Sequence, residues 1–559
     1  MPAILSVWLL VVFLAALLVS TASAADYYVD RSNANASDEN PGSKERPFAT
    51  ISAAVKDLKP GDKVIIKAGE YRETVQFKAG GAADKPITIQ AAEGDEGRVV
   101  IMGSDPVTDW KHEYGTIWQT EWKHQFDGHF PNNWPDVDEY AKHCEIVFVD
   151  GVPLKQVLAD GVLLKGTFCV NEKKGVLRIA LYDDQPRKNV EVGVRQSGFI
   201  ASGDFLIVRG LKVMYVANDH ASFAMAVGGN DNIIENNQVL WNNLEGMRIG
   251  GWRLTVRRNV CNNNGRCGMS GSPQNSLLQD NITNGNSWRY SADWHDGGVK
   301  IIGGGPSNNR IIRHIACNNY SKGIWFDSAC KNNWVEGCIL DNNVVAGLEF
   351  EACAAGNNWA VNNICSRTRI RRNGLTEQGT GGGILLYESE GTHIVNNILV
   401  GNEGYGIILA GGARGAASGP KAVTKNTVIM NNIFADNGVA AFRYWVWSES
   451  LDAIASNQMD YNLFSPSQAR RVMVRMDDET REQVWLTLEQ WQAQRGQDKH
   501  SIAADPGFVN PEGRDFRILP GSPALGAGTP VDKVTVDFAG KVRPQGKTFD
   551  IGAYMAVGE

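Results

Sequence analysis

From about Phe199 onward the chain repeats, and the repeat constrains its fold more than any other feature. Short apolar strands end in Asn pairs and restart at a Gly. The pairs include Asn236-Asn237, Asn318-Asn319, Asn342-Asn343, Asn362-Asn363, Asn396-Asn397 and Asn431-Asn432. Strands restart at Gly246, Gly268, Gly298, Gly323, Gly347, Gly383 and Gly406, with successive gaps of 22, 30, 25, 24, 36 and 23 residues. A period in the twenties that tolerates insertions is the signature of a parallel β-helix, in which each coil contacts only its neighbours. Leucine-rich repeats share the period, but their fixed Leu pattern is absent. Asn side chains stacked coil on coil are expected to bond one another's amides and to satisfy turn backbone at the corners.

A chain of 559 residues exceeds one ordinary compact core, and a solenoid escapes that limit. The 60 Gly and only 21% charged residues suit a turn-rich β protein. The net charge of −7 is spread along the chain with no Lys/Arg cluster, so no nucleic-acid partner is expected. Residues 1–24 read as a signal peptide: an apolar run from Trp8 to Val19 leads into the small-residue site Thr21-Ala22-Ser23-Ala24. The alternative is a membrane anchor, but the run is short for a bilayer span. A secreted or periplasmic location is expected, with no span after cleavage. Of the nine Cys, most lie in the repeats and read as buried thiols, with one or two disulfides open in an oxidising compartment. No CxxC motif marks a zinc or redox site.

Five segments follow. After the leader (1–24), residues 25–108 form an N-terminal cap and the first coils. Thr50 is placed to cap a short helix running to Leu58, and Pro60-Gly61-Asp62 turns the chain into the strand at Val64-Ile65-Ile66. Residues 109–195 break the repeat. They hold Trp110, Trp118, Trp122 and Trp134 and the strand-like runs Glu145–Val149 and Val176–Ala180, which suggest an inserted antiparallel β module with a hairpin at Asp150-Gly151. Its role is structural or that of a wall beside a groove. Residues 196–465 are the central parallel β-helix. Residues 466–559 are a helical segment over 479–495 followed by a closing extension expected to lie along the solenoid.

Two coils align without gaps: Gly323-Ile324-Trp325-Phe326-Asp327 and Gly347-Leu348-Glu349-Phe350-Glu351. Strand side chains alternate, so Ile324, Phe326, Leu348 and Phe350 point inward while Trp325, Asp327, Glu349 and Glu351 share the outer face. Coils stack ~4.8 Å apart, which makes Asp327 and Glu351 direct neighbours. That spacing is near the roughly 5–5.5 Å between the carboxyls of retaining glycosidases. Mutual repulsion raises the pKa of one carboxyl and leaves the other ionised. Trp325 offers a flat surface for a sugar ring. The same alignment puts Lys300 and Arg248 in the column of Trp325 and Glu349, and Tyr387 in that of Asp327 and Glu351. Asp293-Trp294-His295-Asp296 forms a polar corner before Lys300, and Asp219-His220 a similar one earlier. Exposed strand faces carry charge by default, but like charges directly opposite cost stability and ask for a reason.

The stretch from Gly42 to Tyr71 resembles the first coil of secreted β-helix polysaccharide lyases, and the tail motifs DPGF, GSPALGAG and DIGAY resemble the closing segment of bacterial β-helix glycan enzymes. At IWFD and LEFE the chain resembles the β-helical β-xylosidase-type glycoside hydrolases. That resemblance implies a right-handed parallel β-helix, with Asp327 as nucleophile and Glu351 as acid/base. The strand alignment makes Trp325, Glu349, Lys300, Arg248, His295, Asp296 and Tyr387 the candidates for binding an oligo- or polysaccharide, expected to be of plant or algal type. No cofactor is needed for this chemistry. One alternative is a polysaccharide lyase or uronate epimerase. Lys300 would then take the proton beside a uronate carboxyl, Arg248 would help bind the polyanion, and Ca2+ would sit on Asp327, Glu349 and Glu351. Another is a non-catalytic carbohydrate-binding β-helix.

Overall fold

The computed structural model describes residues 24–126, 143–158, 161, 163–183, 189–289, 295–303, 307–354, 356–371, 381–411, 424–446, 455–476, 483–544 and 549–556. It is a parallel β-helix. One coil shows the plan: Ile324–Asp327 lies in sheet one, Trp334–Glu336 in sheet two and Ile339–Asp341 in sheet three, after which the chain returns to sheet one at Ala346–Glu351. Among the described residues sheets one and two each run through thirteen strands. Sheet three runs as five strands and then seven, joined through bridges from Val260 to Ile282 to Ile315.

The interior is a set of columns, because each coil repeats its inward positions one strand spacing along. Ile324, Phe326, Val335 and Leu340 lie over Leu348, Phe350, Ala360 and Cys365, all fully buried. Phe326 stacks on Phe350 at 5.1 Å between ring centroids. Each such side chain is worth about 1.5–3 kcal/mol of burial. All nine thiols are free; eight are buried and Cys317 is partly exposed.

The Gly column has a steric cause. A Cβ on Gly323 would lie 2.5 Å from the carbonyl oxygen of Gly347, and one on Gly298 would lie 2.6 Å from that of Gly323. The backbones of successive coils leave no room there for any side chain. The Asn pairs divide their work. The first member (Asn236, Asn318, Asn342, Asn362, Asn396 and Asn431) takes the left-handed conformation that turns the corner, with φ between 53° and 58°. The second turns inward and joins a ladder. Asn242, Asn264, Asn286, Asn319 and Asn343 are linked amide to amide at 2.9–3.1 Å and are fully buried.

Both ends are plugged. Ile51–Ala54 is helical with Thr50 as its N-cap, shorter than the run to Leu58 expected from sequence; Ile51, Ala54 and Val55 seal the first coil. At the far end the expected helix over 479–495 is corrected. Gln483–Leu486 is a strand of sheet one, and the helix spans Leu488–Arg495. Thr487 and Gln490 form a capping box that starts the helix there, and Trp491 closes the last coil. From Phe508 the chain covers the outside of sheet three, where Phe516, Ile518, Ala524 and Ile551 pack on Ile364, Ile398 and Ile433.

Antiparallel strands between Ser104 and Gly193 form the insertion, with the Asp150-Gly151 turn joining Val147–Val149 to Val152–Pro153. Ile146 and Phe148 pack on Tyr215 and Trp241 of the solenoid. Arg289 donates to the Glu145 carbonyl (2.6 Å) and to Asn243 Oδ1 (2.5 Å), which ties the insertion to the corner loops feeding sheet one. Trp134 lies outside the described residues, as does nearly all of the leader, and no helix among those described is long and apolar enough to cross a membrane.

Candidate active site

The outer face of sheet one carries two adjoining columns. The first reads Arg248, Ser270, Lys300, Trp325, Glu349, Leu385. The second reads Ile302, Asp327, then Glu351, Tyr387. Asp327 and Glu351 close their ladders, and the register holds beyond them, since Ala329 N donates to Ala352 O at 2.9 Å. The two acids therefore occupy equivalent positions on consecutive coils, about 4.8 Å apart along the sheet. Neither joins the interior core.

This outer face is nonetheless covered. Trp325 is 2% exposed, Glu349 3% and Glu351 8%, and Lys300 is completely buried. Lys300 Nζ pairs with Asp327 Oδ2 at 2.9 Å, and Lys322 Nζ with Glu349 Oε2 at 3.2 Å. Both ammonium groups also lie against the indole of Trp325, 3.3 and 3.4 Å from its centroid. The reading of Trp325 as an open sugar platform is thereby corrected, because two lysines occupy its surroundings and its ring reaches no solvent. Burial pushes the Lys300 ammonium down to about 8; Asp327 opposes that fall and Lys322 adds to it.

A second polar cluster adjoins the first. Ser270 Oγ donates to Glu245 Oε2 (2.5 Å), and His295 Nε2 lies 3.0 Å from Glu245 Oε1. Burial first, then the cations Arg266, Lys300 and Arg248, with a smaller contribution from His220, hold His295 well below its ordinary pKa, so the ring is neutral at pH 7. Asp296 lies 3.7 Å from Arg266 Nε, whose guanidinium also meets His220 Nδ1 at 2.9 Å. Arg248 sits over Phe223 and reaches Ser270 Oγ only at 3.4 Å. Tyr387 falls in an apolar cluster with Val345, Leu385, Tyr405 and Ile408, so its ring faces packed side chains where a polar binding surface was expected. Asp219 keeps to its own corner and accepts from Ser222 Oγ at 2.6 Å. Asp293 and Trp294 lie outside the described residues.

The Ca2+ alternative does not fit. Among the described residues no three His, Cys, Asp or Glu side chains are grouped to hold a metal ion, and Asp327 and Glu349 each already face a lysine. Strand-position reasoning missed Glu245, Arg266, Lys322 and Arg371. The signal was available: Glu245 and Lys322 each immediately precede a strand-starting Gly, where the corner loop delivers a side chain onto the same face.

A family model described as right handed beta helix region matches residues 198–365 and 290–419, and one described as Chondroitinase B matches residues 47–145. The chain is 35% identical over 79 residues to the uncharacterized protein YwoF of Bacillus subtilis (strain 168); that stretch is 14% of this chain and spans 16% of the relative's length. Among solved structures, the complex of XylC with xylose shares 15% identity, covering 95% of this chain and 99% of that one with a TM-score of 0.65. The pectate lyase Pel9A shares 16% identity, covering 96% and 98% with a TM-score of 0.44. At these identities the likeness is one of fold.

Proposed function

We propose that this right-handed parallel β-helix is a carbohydrate-active enzyme that hydrolyses glycosidic bonds with retention, exported from the cell by its leader. Asp327 attacks the anomeric carbon while Glu351 protonates the departing oxygen. Water then attacks the glycosyl-enzyme ester, with Glu351 now taking its proton, and both carboxyls return to their starting states. The observation that carries this reading is the register. One Asp and one Glu hold equivalent outer-face positions on consecutive coils, and a strand spacing of ~4.8 Å is near the roughly 5–5.5 Å between the carboxyls of retaining glycosidases, which supports this reading. Lys300 supports it by holding its ammonium 2.9 Å from the Asp327 carboxyl. The fold likeness to XylC, whose structure holds xylose, makes pentosides the first substrates to try.

The experiment is turnover of nitrophenyl β-glycosides, xyloside first. Asp327→Ala and Glu351→Ala should each lower kcat by at least about 10³-fold, and azide should rescue Glu351→Ala as a β-glycosyl azide. Unimpaired hydrolysis by either variant refutes the assignment.

A lyase is the second reading, favoured by one observation: an ammonium brought down to about 8 is suited to take a proton. It predicts an ultraviolet-absorbing unsaturated product, which a hydrolase never makes.

A further inference from the structure

The cations around the acid pair are mostly committed. Lys300 holds Asp327, Lys322 holds Glu349, and Arg266 lies beside Asp296. Arg371 differs. Its backbone leaves an ordered corner, where Arg369 N donates to Asn343 O at 2.7 Å and Val345 N to Arg369 O at 3.0 Å. Its guanidinium reaches back two coils, and Nη2 donates to Ser321 Oγ at 3.2 Å, directly before Lys322. The carboxylates of Asp296 and Glu349 act on it electrostatically, yet no carboxylate among the described residues lies within 4.0 Å. Its Nε is shut off from solvent and has no acceptor among the described residues. Arg369 repeats the pattern. Its Nε is also buried without an acceptor among the described residues, its Nη2 donates to the Asn342 carbonyl, and its guanidinium lies 5.8 Å from the ring of Tyr320, which is 47% exposed.

Leaving a charged group buried and incompletely paired is costly, and two such guanidinium groups at one corner leave positive charge there for an anionic ligand to offset. With Nε sealed, the Nη1 and Nη2 groups are the edge of the Arg371 guanidinium left to meet the two coplanar oxygens of a carboxylate. The exposed ring of Tyr320, beside Arg369 and next in the chain to the Ser321 that Arg371 holds, suits the face of a sugar. We propose that this corner receives the carboxylate of a uronic acid unit, with Arg371 as its anchor and Tyr320 beneath the ring, in a glycan whose scissile bond lies over Asp327 and Glu351. The proposal rests on the hydrolase reading for where the bond is cut, but the anion-binding corner is tested independently of turnover.

The test is calorimetry at 0.15 M salt on the full chain carrying Glu351→Gln, which blocks turnover. The ligands are a xylo-oligosaccharide with and without a glucuronic acid branch, galacturonate and galactose trimers, and a sulfated neutral oligosaccharide. In at least one pair the carboxylated member should bind tenfold or more tightly than its neutral partner. Adding Arg371→Gln should erase that preference and leave neutral binding unchanged. Arg371→Lys should restore only part of it, since an ammonium cannot make two parallel bonds. Equal binding within both pairs, a preference that survives Arg371→Gln, or stronger binding of the sulfated ligand overturns the proposal. Turnover separates the two readings. Glycoside hydrolysis without any acid preference removes the corner and keeps the hydrolase. An Arg371-dependent acid preference in a protein that turns over no glycoside keeps the corner and removes the hydrolase.

Discussion

Burying an ammonium beside an indole and a carboxylate does two things at once. Desolvation makes Lys300 a weaker cation, and the 2.9 Å contact with Asp327 makes its charge useful. The sign of the pH effect follows. Below about 8 Lys300 is charged and Asp327 is paired; above it the pair dissolves. If Asp327 is the nucleophile, kcat/KM should fall on the alkaline side with an apparent pKa near 8, and Lys300→Met should remove that limb while lowering the rate about 10²-fold. A lyase that uses neutral Lys300 predicts the opposite limb, with activity rising through about 8. The pH profiles of the parent protein and of Lys300→Met decide between them. Lys300 also affects stability. Its folded pKa lies below the ordinary 10.5, so the unfolded chain binds more protons between about 8 and 10.5, and burying the ammonium costs less as pH rises through that window.

At the scale of a strand or a corner, stability comes from repetition. Asn264 Oδ1 accepts from Asn242 Nδ2 (2.9 Å) and Asn242 N (3.3 Å), and its Nδ2 donates to Asn286 Oδ1 and the Val239 carbonyl (both 3.1 Å), so its loss breaks four buried bonds at once. Asn264→Ala should cost about 3 kcal/mol or more, read as a drop in thermal midpoint; an unchanged midpoint would mean that the ladder carries no load. Gly323→Ala sets a Cβ 2.5 Å from the Gly347 carbonyl and should cost about 1–3 kcal/mol, the usual penalty of overpacking. It should also impair activity, because Gly323 follows Lys322 and leads into the strand of Asp327. Gly228→Ala, on the same sheet with open space above its Cβ position, is the neutral control for both readouts.

For the whole molecule, a solenoid has no single centre, and its ends are its weak points. The outermost coils are sealed by Ile51, Ala54 and Val55 at one end and by Leu488 and Trp491 at the other. Trp491 is 1% exposed and donates from Nε1 to Asp498 Oδ2 at 2.9 Å. Trp491→Ala should destabilise by about 3–5 kcal/mol. Hydrogen exchange should show fraying confined to sheet strands near Tyr444 and Met459 and should leave the coils around Asp327 protected. Uniform loss of protection would mean that the coils unfold as one unit.

Much of this was legible in the chain. The spacing of glycines and Asn pairs announces stacked coils, because each is demanded locally: a close backbone approach at each strand-starting Gly, and a left-handed corner followed by an inward amide at the six Asn pairs from Asn236-Asn237 to Asn431-Asn432. Alternation within IWFD and LEFE was enough to place Asp327 and Glu351 on one face, since strand geometry alone determines which way a side chain leaves the backbone. What lies over that face was decided only by the tertiary structure. Trp325 reads as exposed by its parity, yet it is enclosed by Lys300 and by Lys322, which arrives from a corner loop. Glu349 is claimed by the same lysine, Tyr387 is drawn into an apolar cluster, and Arg371 reaches Ser321 across two coils. These contacts join residues through loops of unequal length, and a repeat carries no record of where such loops fold. The periodic part of the protein is therefore written in short-range geometry, and the chemistry of its outer face in the long-range contacts that interrupt the period.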